Sequence, residues 1–82
     1  MLPQDEVLAG LAEVLRAVAG LDPAAVTPDK SLAGDFGIDS LVMVEVVVAA
    51  EDRFGVLIDD DEWSRFKTVR DVTQYVEQAT TP

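Results

Sequence analysis

The segment GIDSLVMVEVVVAAEDRFG, residues 37–55, decides the fold because ten consecutive positions in it are apolar apart from one glutamate. Its valines favour a β-strand, since branched side chains pack well on a pleated sheet. The 15 residues from Ser40 to Phe54 contain no Gly or Pro, however, and are too many for an ordinary strand. Asp39 suits a helix N-cap, and Gly55 suits the left-handed residue that ends a helix. The segment therefore predicts a helix.

A second helix is predicted over residues 4–19, where apolar side chains recur at helical spacing. These are Val7, Leu8, Leu11, Val14, Leu15 and Val18. Acidic residues near its start complement the positive end of the helix dipole. Gly20 is predicted to end this helix.

Residues 20–38 are interpreted as a long loop, because prolines and glycines interrupt them throughout. Asp22 and Pro23 are predicted to open one helical turn, since proline suits the first helical position. Four apolar side chains are expected to hold the loop on the core: Val26, Leu32, Phe36 and Ile38.

After Gly55, residues 56–58 form a short apolar connector. The acidic run 59–62 is predicted to start a brief helix that continues through Trp63 and Phe66. The run lacks the alternating ligands and the glycine of an EF-hand loop, so no specific metal site is expected.

Thr68 and Asp71 have the spacing of a capping box, with Asp in place of the more usual Glu. They introduce a last helix that carries Val69, Val72, Tyr75 and Val76. The predicted fold is all-α, a small bundle of three main helices plus a short third helix. We expect one domain over residues 1–82, ordered over about 4–78 and frayed over 79–82.

The composition limits the partners and the location that this chain is expected to have. Sixteen acidic against six basic residues give a net charge of −10, which repels nucleic acids and anionic membranes and attracts basic protein surfaces. No apolar stretch approaches the roughly 20 residues that span a bilayer, and the acidic N-terminus does not resemble a signal peptide. We expect a cytoplasmic monomer. No disulfides are expected, because cysteine is absent.

Ser40 lies at the start of the central helix, and this position raises the question of whether it is a catalytic nucleophile. The chain has no histidine, so a Ser-His-Asp arrangement is impossible, and Asp39 is a weak base for a hydroxyl. Catalysis by this chain is therefore not expected. A phosphate ester on Ser40 would instead lie beside the free amides of the first helical turn. The alternative is that Asp39 and Ser40 only cap the helix.

The segment GDFGIDSLVMVEVVVAAEDRFGVLIDDDEWSRFKTV resembles the centre of an acyl carrier protein. It shows Asp-Ser-Leu at a helix start, an acidic helix, a Phe, a short loop and an acidic third helix, and the resemblance runs from about Leu32 to Val76. It is most similar to the discrete carriers of fatty acid or type II polyketide synthesis in actinobacteria. The resemblance implies the acyl-carrier helical bundle and a carrier rather than an enzyme.

The resemblance also implies a cofactor and partners. Ser40, next to Asp39, would receive 4′-phosphopantetheine from coenzyme A through a phosphopantetheinyl transferase. The thiol of this arm would hold acyl groups as thioesters and present them to a ketosynthase, an acyltransferase and other enzymes of fatty acid or polyketide synthesis. A chain without cysteine would in this way gain its thiol from a cofactor.

A partner face is implied along the central helix. Residues 35–62 contain nine acids and one base, Arg53. By resemblance, four of these acids would meet basic patches on partner enzymes: Asp39, Glu45, Glu51 and Asp52. Leu41, Val44 and Val48 would add apolar contacts beside the arm. The alternatives are a solvated acidic face and valines that pack in the core.

Two alternative functions stay open, and two residues depart from the family pattern. A peptidyl carrier normally has Gly-Gly-His/Asp-Ser, whereas residues 36–40 read Phe-Gly-Ile-Asp-Ser. An acidic module that mimics nucleic acid is the alternative from another class. Asp59 replaces the usual proline, so the start of the third helix is expected to be looser. Trp63 replaces a small or polar residue, and either packs in the core or lines an acyl pocket or partner patch.

Overall fold

The computed structural model describes residues 3–80 as a bundle of helices. The elements in chain order are α1 Gln4–Ala19, a 3₁₀ turn Pro23–Ala25, α2 Ser40–Phe54, α3 Asp60–Trp63 and α4 Val69–Ala79. This confirms the predicted all-α class with three main helices and a short third helix. Within the described part, no helix is both long and apolar enough to cross a membrane.

Helix α1 packs against both α2 and α4 and forms the centre of the bundle. Its inward side chains Val7, Leu11 and Leu15 are completely buried. The helix ends at Gly20, whose φ of 70° is accessible to glycine at little cost. The predicted bounds of this helix are confirmed.

Helix α2 has the bounds that its capping residues predict. The Asp39 carboxylate accepts a hydrogen bond from the Val42 amide at 2.9 Å. At the other end Gly55 has a φ of 67°, and its N–H donates to the carbonyl of Glu51. The inward residues are Met43, Val46, Val47 and Ala50. Packing of these side chains outweighs the weak helix propensity of valine.

Close contact between α1 and α2 depends on Gly10. A Cβ atom built there would lie 2.8 Å from the ring of Phe54, so a side chain at this position would force the ring to move. An ion pair between Arg53 and Glu13 also joins the two helices. Arg53 therefore belongs to the α1 side of α2.

The loop over residues 20–38 is held on the core as predicted. Val26, Leu32 and Ile38 are buried, and Phe36 is half-buried. The loop also pairs with the segment before α4, because the Leu32 amide donates to the Lys67 carbonyl at 2.9 Å.

Helix α3 is shorter than predicted, and α4 extends to Ala79. α3 ends at Trp63, because the Phe66 amide bonds the Trp63 carbonyl in a tighter, 3₁₀-like turn. The prediction that it continues through Phe66 was wrong. Ala79 belongs to α4, and the hydroxyl of Thr80 donates to the Val76 carbonyl at 2.9 Å. The fraying expected for residues 79–82 stays a prediction. Residues 81–82 lie outside the described part.

Asp59 is the N-cap residue of α3 and forms no side-chain capping bond. The looser start expected from the missing proline stays a prediction. α4 begins with the predicted capping box. The Thr68 hydroxyl accepts from the Asp71 amide, and the Asp71 carboxylate accepts from the Thr68 amide at 3.0 Å. Val69, Val72 and Val76 then face the core.

Candidate functional site at the N-terminal end of α2

Ser40 is the first residue of α2, and its side chain is exposed. The Asp39 carboxylate satisfies the amide of Val42, and the Asp39 carbonyl accepts from the Met43 amide at 2.8 Å. The amides of Ser40 and Leu41 have no acceptor among residues 3–80. Free N–H groups at a helix start favour an anion, so a phosphate ester on Ser40 would be stabilised here.

The chain has three serines, and all three line one cavity. The Ser31 hydroxyl accepts a hydrogen bond from the Gly34 amide at 2.9 Å. The Ser64 hydroxyl donates to the Asp61 carbonyl at 3.1 Å. Within the described chain the hydroxyl of Ser40 makes no hydrogen bond, which leaves it free for modification.

The cavity beside Ser40 has a volume of about 320 Å³, within the range of small-molecule sites. Its apolar lining consists of Leu32, Ala33, Ile38, Met43, Trp63 and Phe66. The three serines, Asp39 and Lys67 are its polar lining residues. A lining with both polar and apolar groups fits an arm that has a phosphate at one end and a longer organic chain beyond it.

Trp63 is half-buried and lines this cavity together with Ser40. Its indole Nε1–H donates to the Asp60 carboxylate at 3.0 Å, which fixes the ring orientation. Of the two roles that its sequence allowed, the ring combines partial packing against the core with lining of the cavity.

We call Leu41, Val44, Glu45, Val48 and Asp52 the outward face of α2. Their spacing of three or four residues places them on one side of the helix. The three apolar members are 72%, 46% and 58% exposed, respectively, so they do not pack in the core. Both acids are exposed as well. This side of α2 is thus apolar along its middle and negatively charged.

Glu51, which the resemblance implied as a partner contact, also has a structural role. It is half-buried, and its carboxylate accepts a hydrogen bond from the Ile58 amide at 2.8 Å. The side chain therefore stabilises the loop after α2. Arg53, the base within the acidic segment, reaches Glu13 on α1 and leaves the negative charge of the outward face unopposed.

The α2–α3 loop, residues 55–59, contains a feature that the sequence interpretation missed. Val56 and Ile58 are buried, but Leu57 between them is 82% exposed. The connector was interpreted as uniformly apolar. Burial that alternates over three successive residues is typical of an extended segment, and the apolar triplet itself carries no signal for which residue faces solvent.

Tyr75 of α4 holds this loop. Its hydroxyl donates to the Leu57 carbonyl at 2.7 Å, and its ring packs edge to face on Phe66. Partial burial raises the pKa of Tyr75, and the negative charges of Glu62, Asp59 and Glu51 raise it further. The hydroxyl therefore remains a donor at neutral pH.

The sequence profile described as "Phosphopantetheine attachment site" matches residues 9–76. The chain belongs to the acyl carrier protein family. It is 52% identical over 79 residues to the acyl carrier protein of Acidothermus cellulolyticus, a match covering 96% of this chain and 94% of the relative. It is 51% identical to that of Thermobifida fusca, covering 92% and 95%. The meromycolate extension acyl carrier protein of Mycolicibacterium smegmatis is 47% identical, covering 92% and 76%.

Membership of the acyl carrier protein family confirms the expected cofactor and type of activity. The protein carries acyl groups on 4′-phosphopantetheine and is a carrier, not a catalyst. When bound, the cofactor supplies the thiol that holds an acyl group as a thioester. Its partners are enzymes of fatty acid synthesis. The comparisons give no support to a peptidyl carrier or to a mimic of nucleic acid.

Proposed function

We propose that Ser40 is the residue that carries the phosphopantetheine arm. The observation that carries this proposal is the free, exposed hydroxyl at the start of α2, since Ser31 and Ser64 use theirs in hydrogen bonds. Asp39 acts by position, because its carboxylate caps α2 and fixes the first turn around Ser40. The free amides of Ser40 and Leu41 then face the ester phosphate.

The attachment step requires an outside base, because the chain has no histidine. In the transfer from coenzyme A, a bond forms between the Ser40 Oγ and phosphorus, and the phosphoanhydride bond to adenosine 3′,5′-bisphosphate breaks. The hydroxyl proton goes to a base on the phosphopantetheinyl transferase. Ser40 contributes only an accessible oxygen, and α2 contributes a favourable electrostatic environment for the product.

The outward face of α2, together with Asp39, is proposed as the docking surface for partner enzymes. These are the phosphopantetheinyl transferase, a ketosynthase, an acyltransferase and other synthesis enzymes with basic patches. Exposed charge pairs contribute little energy each, but they accelerate encounter and orient the partners. Glu51 adds to the negative field of this surface while it stabilises the loop. We place this shuttle role in cytoplasmic fatty acid synthesis, carried out by the monomer.

A modification-mapping experiment tests the attachment residue. The protein is incubated with coenzyme A and a broad-specificity phosphopantetheinyl transferase, digested with trypsin and analysed by tandem mass spectrometry. Cleavage after Lys30 and Arg53 gives a peptide that contains Ser31 and Ser40, whereas Ser64 lies in the next peptide. We expect fragment ions to place the whole added mass on Ser40. Modification of Ser31 or Ser64, or no modification, would contradict the proposal.

A further inference from the structure

The large apolar side chains that are exposed in the described part of the chain lie on α2 and in the loop that follows it. Among residues 3–80, the exposed large hydrophobic residues are Leu41, Val44, Val48 and Leu57. Three belong to the outward face of α2, and the fourth lies in the loop that directly follows α2. Isolated exposed apolar residues are ordinary in proteins, but three on one side of a helix, with a fourth in the loop that follows it, favour a contact surface.

The backbone around Leu57 is fixed, so the exposure of its side chain is built into the fold. Val56 and Ile58 on either side are inserted in the core. The Leu57 carbonyl accepts from the Tyr75 hydroxyl, and the Ile58 amide donates to the Glu51 carboxylate. An inward rotation of Leu57 would have to expel its buried neighbours and break both hydrogen bonds.

The bond from Glu51 to the loop connects this leucine with α2. Glu51 follows Val48 by three residues, a little less than one helical turn, and its carboxylate reaches the residue next to Leu57. The surroundings are acidic, since the charges of Glu62, Asp59 and Glu51 act together on Tyr75, whose hydroxyl bonds the Leu57 carbonyl. A partner that covers Leu57 therefore needs positive charge around an apolar depression.

We propose that Leu57 is an apolar anchor for the fatty acid synthesis enzymes that dock on the outward face of α2. The contact surface then continues from the helix onto the α2–α3 loop, and the partner offers an apolar pocket bordered by Lys or Arg. The inference rests on the proposed docking function and adds a residue outside α2 to it.

Methyl NMR tests the inference without any loading reaction. The protein is labelled on its leucine methyl groups and titrated with the ketosynthase of fatty acid synthesis from the same organism. We expect the signals of Leu57 and Leu41 to shift or broaden together, while those of the buried Leu11 and Leu15 do not. A response of Leu41 alone would overturn the anchor and leave docking on α2 intact. No response at either residue would overturn the docking surface as well.

Substitution at the same residue provides an independent readout. Because burial of an apolar side chain stabilises a complex, partial burial of Leu57 predicts that Leu57→Ser raises the Kd for the ketosynthase by about five- to tenfold. Leu57→Met keeps an apolar side chain and is expected to stay within about twofold of the parent protein. Ala17→Ser, at an exposed position on α1, is the control and should leave the Kd for the ketosynthase unchanged.

The fold is not at risk in these variants because the Leu57 side chain is exposed, and a thermal melt by circular dichroism checks this. An unchanged Kd for Leu57→Ser would overturn the anchor. An equal loss in Leu57→Met would also overturn it, because apolar burial would then not be the cause. Neither result would contradict attachment at Ser40, which tandem mass spectrometry of the modified protein tests separately.

Discussion

Helices α2 and α4 both pack valines on the core, yet their solvent sides differ. α4 exposes polar residues such as Arg70, Gln74 and Gln78, as expected for an amphipathic helix on the surface of a bundle. α2 exposes its outward face, with three large apolar side chains and two acids. Folding requires only the inward residues of each helix. We therefore propose that the apolar exterior of α2 contacts other proteins.

The largest effect is expected from a neighbouring pair of valines on α2. Val47 is 6% exposed and Val48 is 58% exposed, so the same substitution tests the two sides of one helix. Both Ala variants gain the same helix propensity. Val47→Ala should be less stable than Val48→Ala by about 2 kcal/mol, through lost burial and a cavity. Urea denaturation measures this difference, and equal stabilities would remove the distinction between the two sides.

The next effect concerns the charges of the outward face. Replacing Glu45 and Asp52 by lysine should slow association with a ketosynthase on the order of tenfold at low salt and leave thermal stability nearly unchanged. The matched control replaces Asp5 and Glu6 on α1 by lysine, which alters the net charge by the same amount. Stopped-flow association rates distinguish the two pairs. Equal slowing would mean that net charge alone, and not this face, determines encounter.

A smaller effect separates two adjacent acids at the end of α2. Glu51→Ala removes the hydrogen bond to the Ile58 amide and should lower the free energy of unfolding by about 1 kcal/mol. Asp52→Ala removes an exposed charge without such a bond and should not. Denaturant melts of the two variants provide the comparison. If Asp52→Ala were the less stable, the division between a structural and a docking acid would be wrong.

The smallest effect is a pH dependence at the start of α4. The backbone N–H of Lys67, with help from that of Thr68, holds the pKa of Asp71 below its ordinary value, although partial burial opposes this. A lowered folded-state pKa contributes stability above the ordinary value near 4, and this contribution is lost as the pH falls through the lowered pKa.

The matching measurement is the Tm of the parent protein and of Asp71→Asn at about pH 7 and about pH 3. The parent protein should lose more stability on acidification than the variant does. Equal losses would show that the Asp71 carboxylate does not stabilise the start of α4.

Caps and apolar spacing were sufficient to predict most of the fold. Asp39 and Gly55 set the bounds of α2 even though its valines favour strands, because length and capping are local signals. The same holds for α1 and for the capping box of α4. The end of α3 was not predictable, since no local signal stops the helix before Phe66 and a tighter turn replaces it.

The position of Ser40 at the start of α2 and most of the outward face could also be predicted from sequence, but the other features of the site depend on tertiary contacts. Nothing in the sequence shows that Glu51 bonds the loop or that Arg53 reaches α1. Leu57 was missed because exposure within an apolar triplet depends on the direction of the backbone. The cavity shared by Trp63 and Ser40 likewise depends on how the segment after α2 folds back.

The most direct test of the account is the intact mass of four proteins after incubation with coenzyme A and a phosphopantetheinyl transferase. The parent protein, Ser31→Ala and Ser64→Ala should each gain one phosphopantetheine, and Ser40→Ala should gain none. Because all three serines line the same cavity, Ser31→Ala and Ser64→Ala control for the access of the transferase to that cavity. A gain in Ser40→Ala, or its absence in the parent protein, would contradict the central claim.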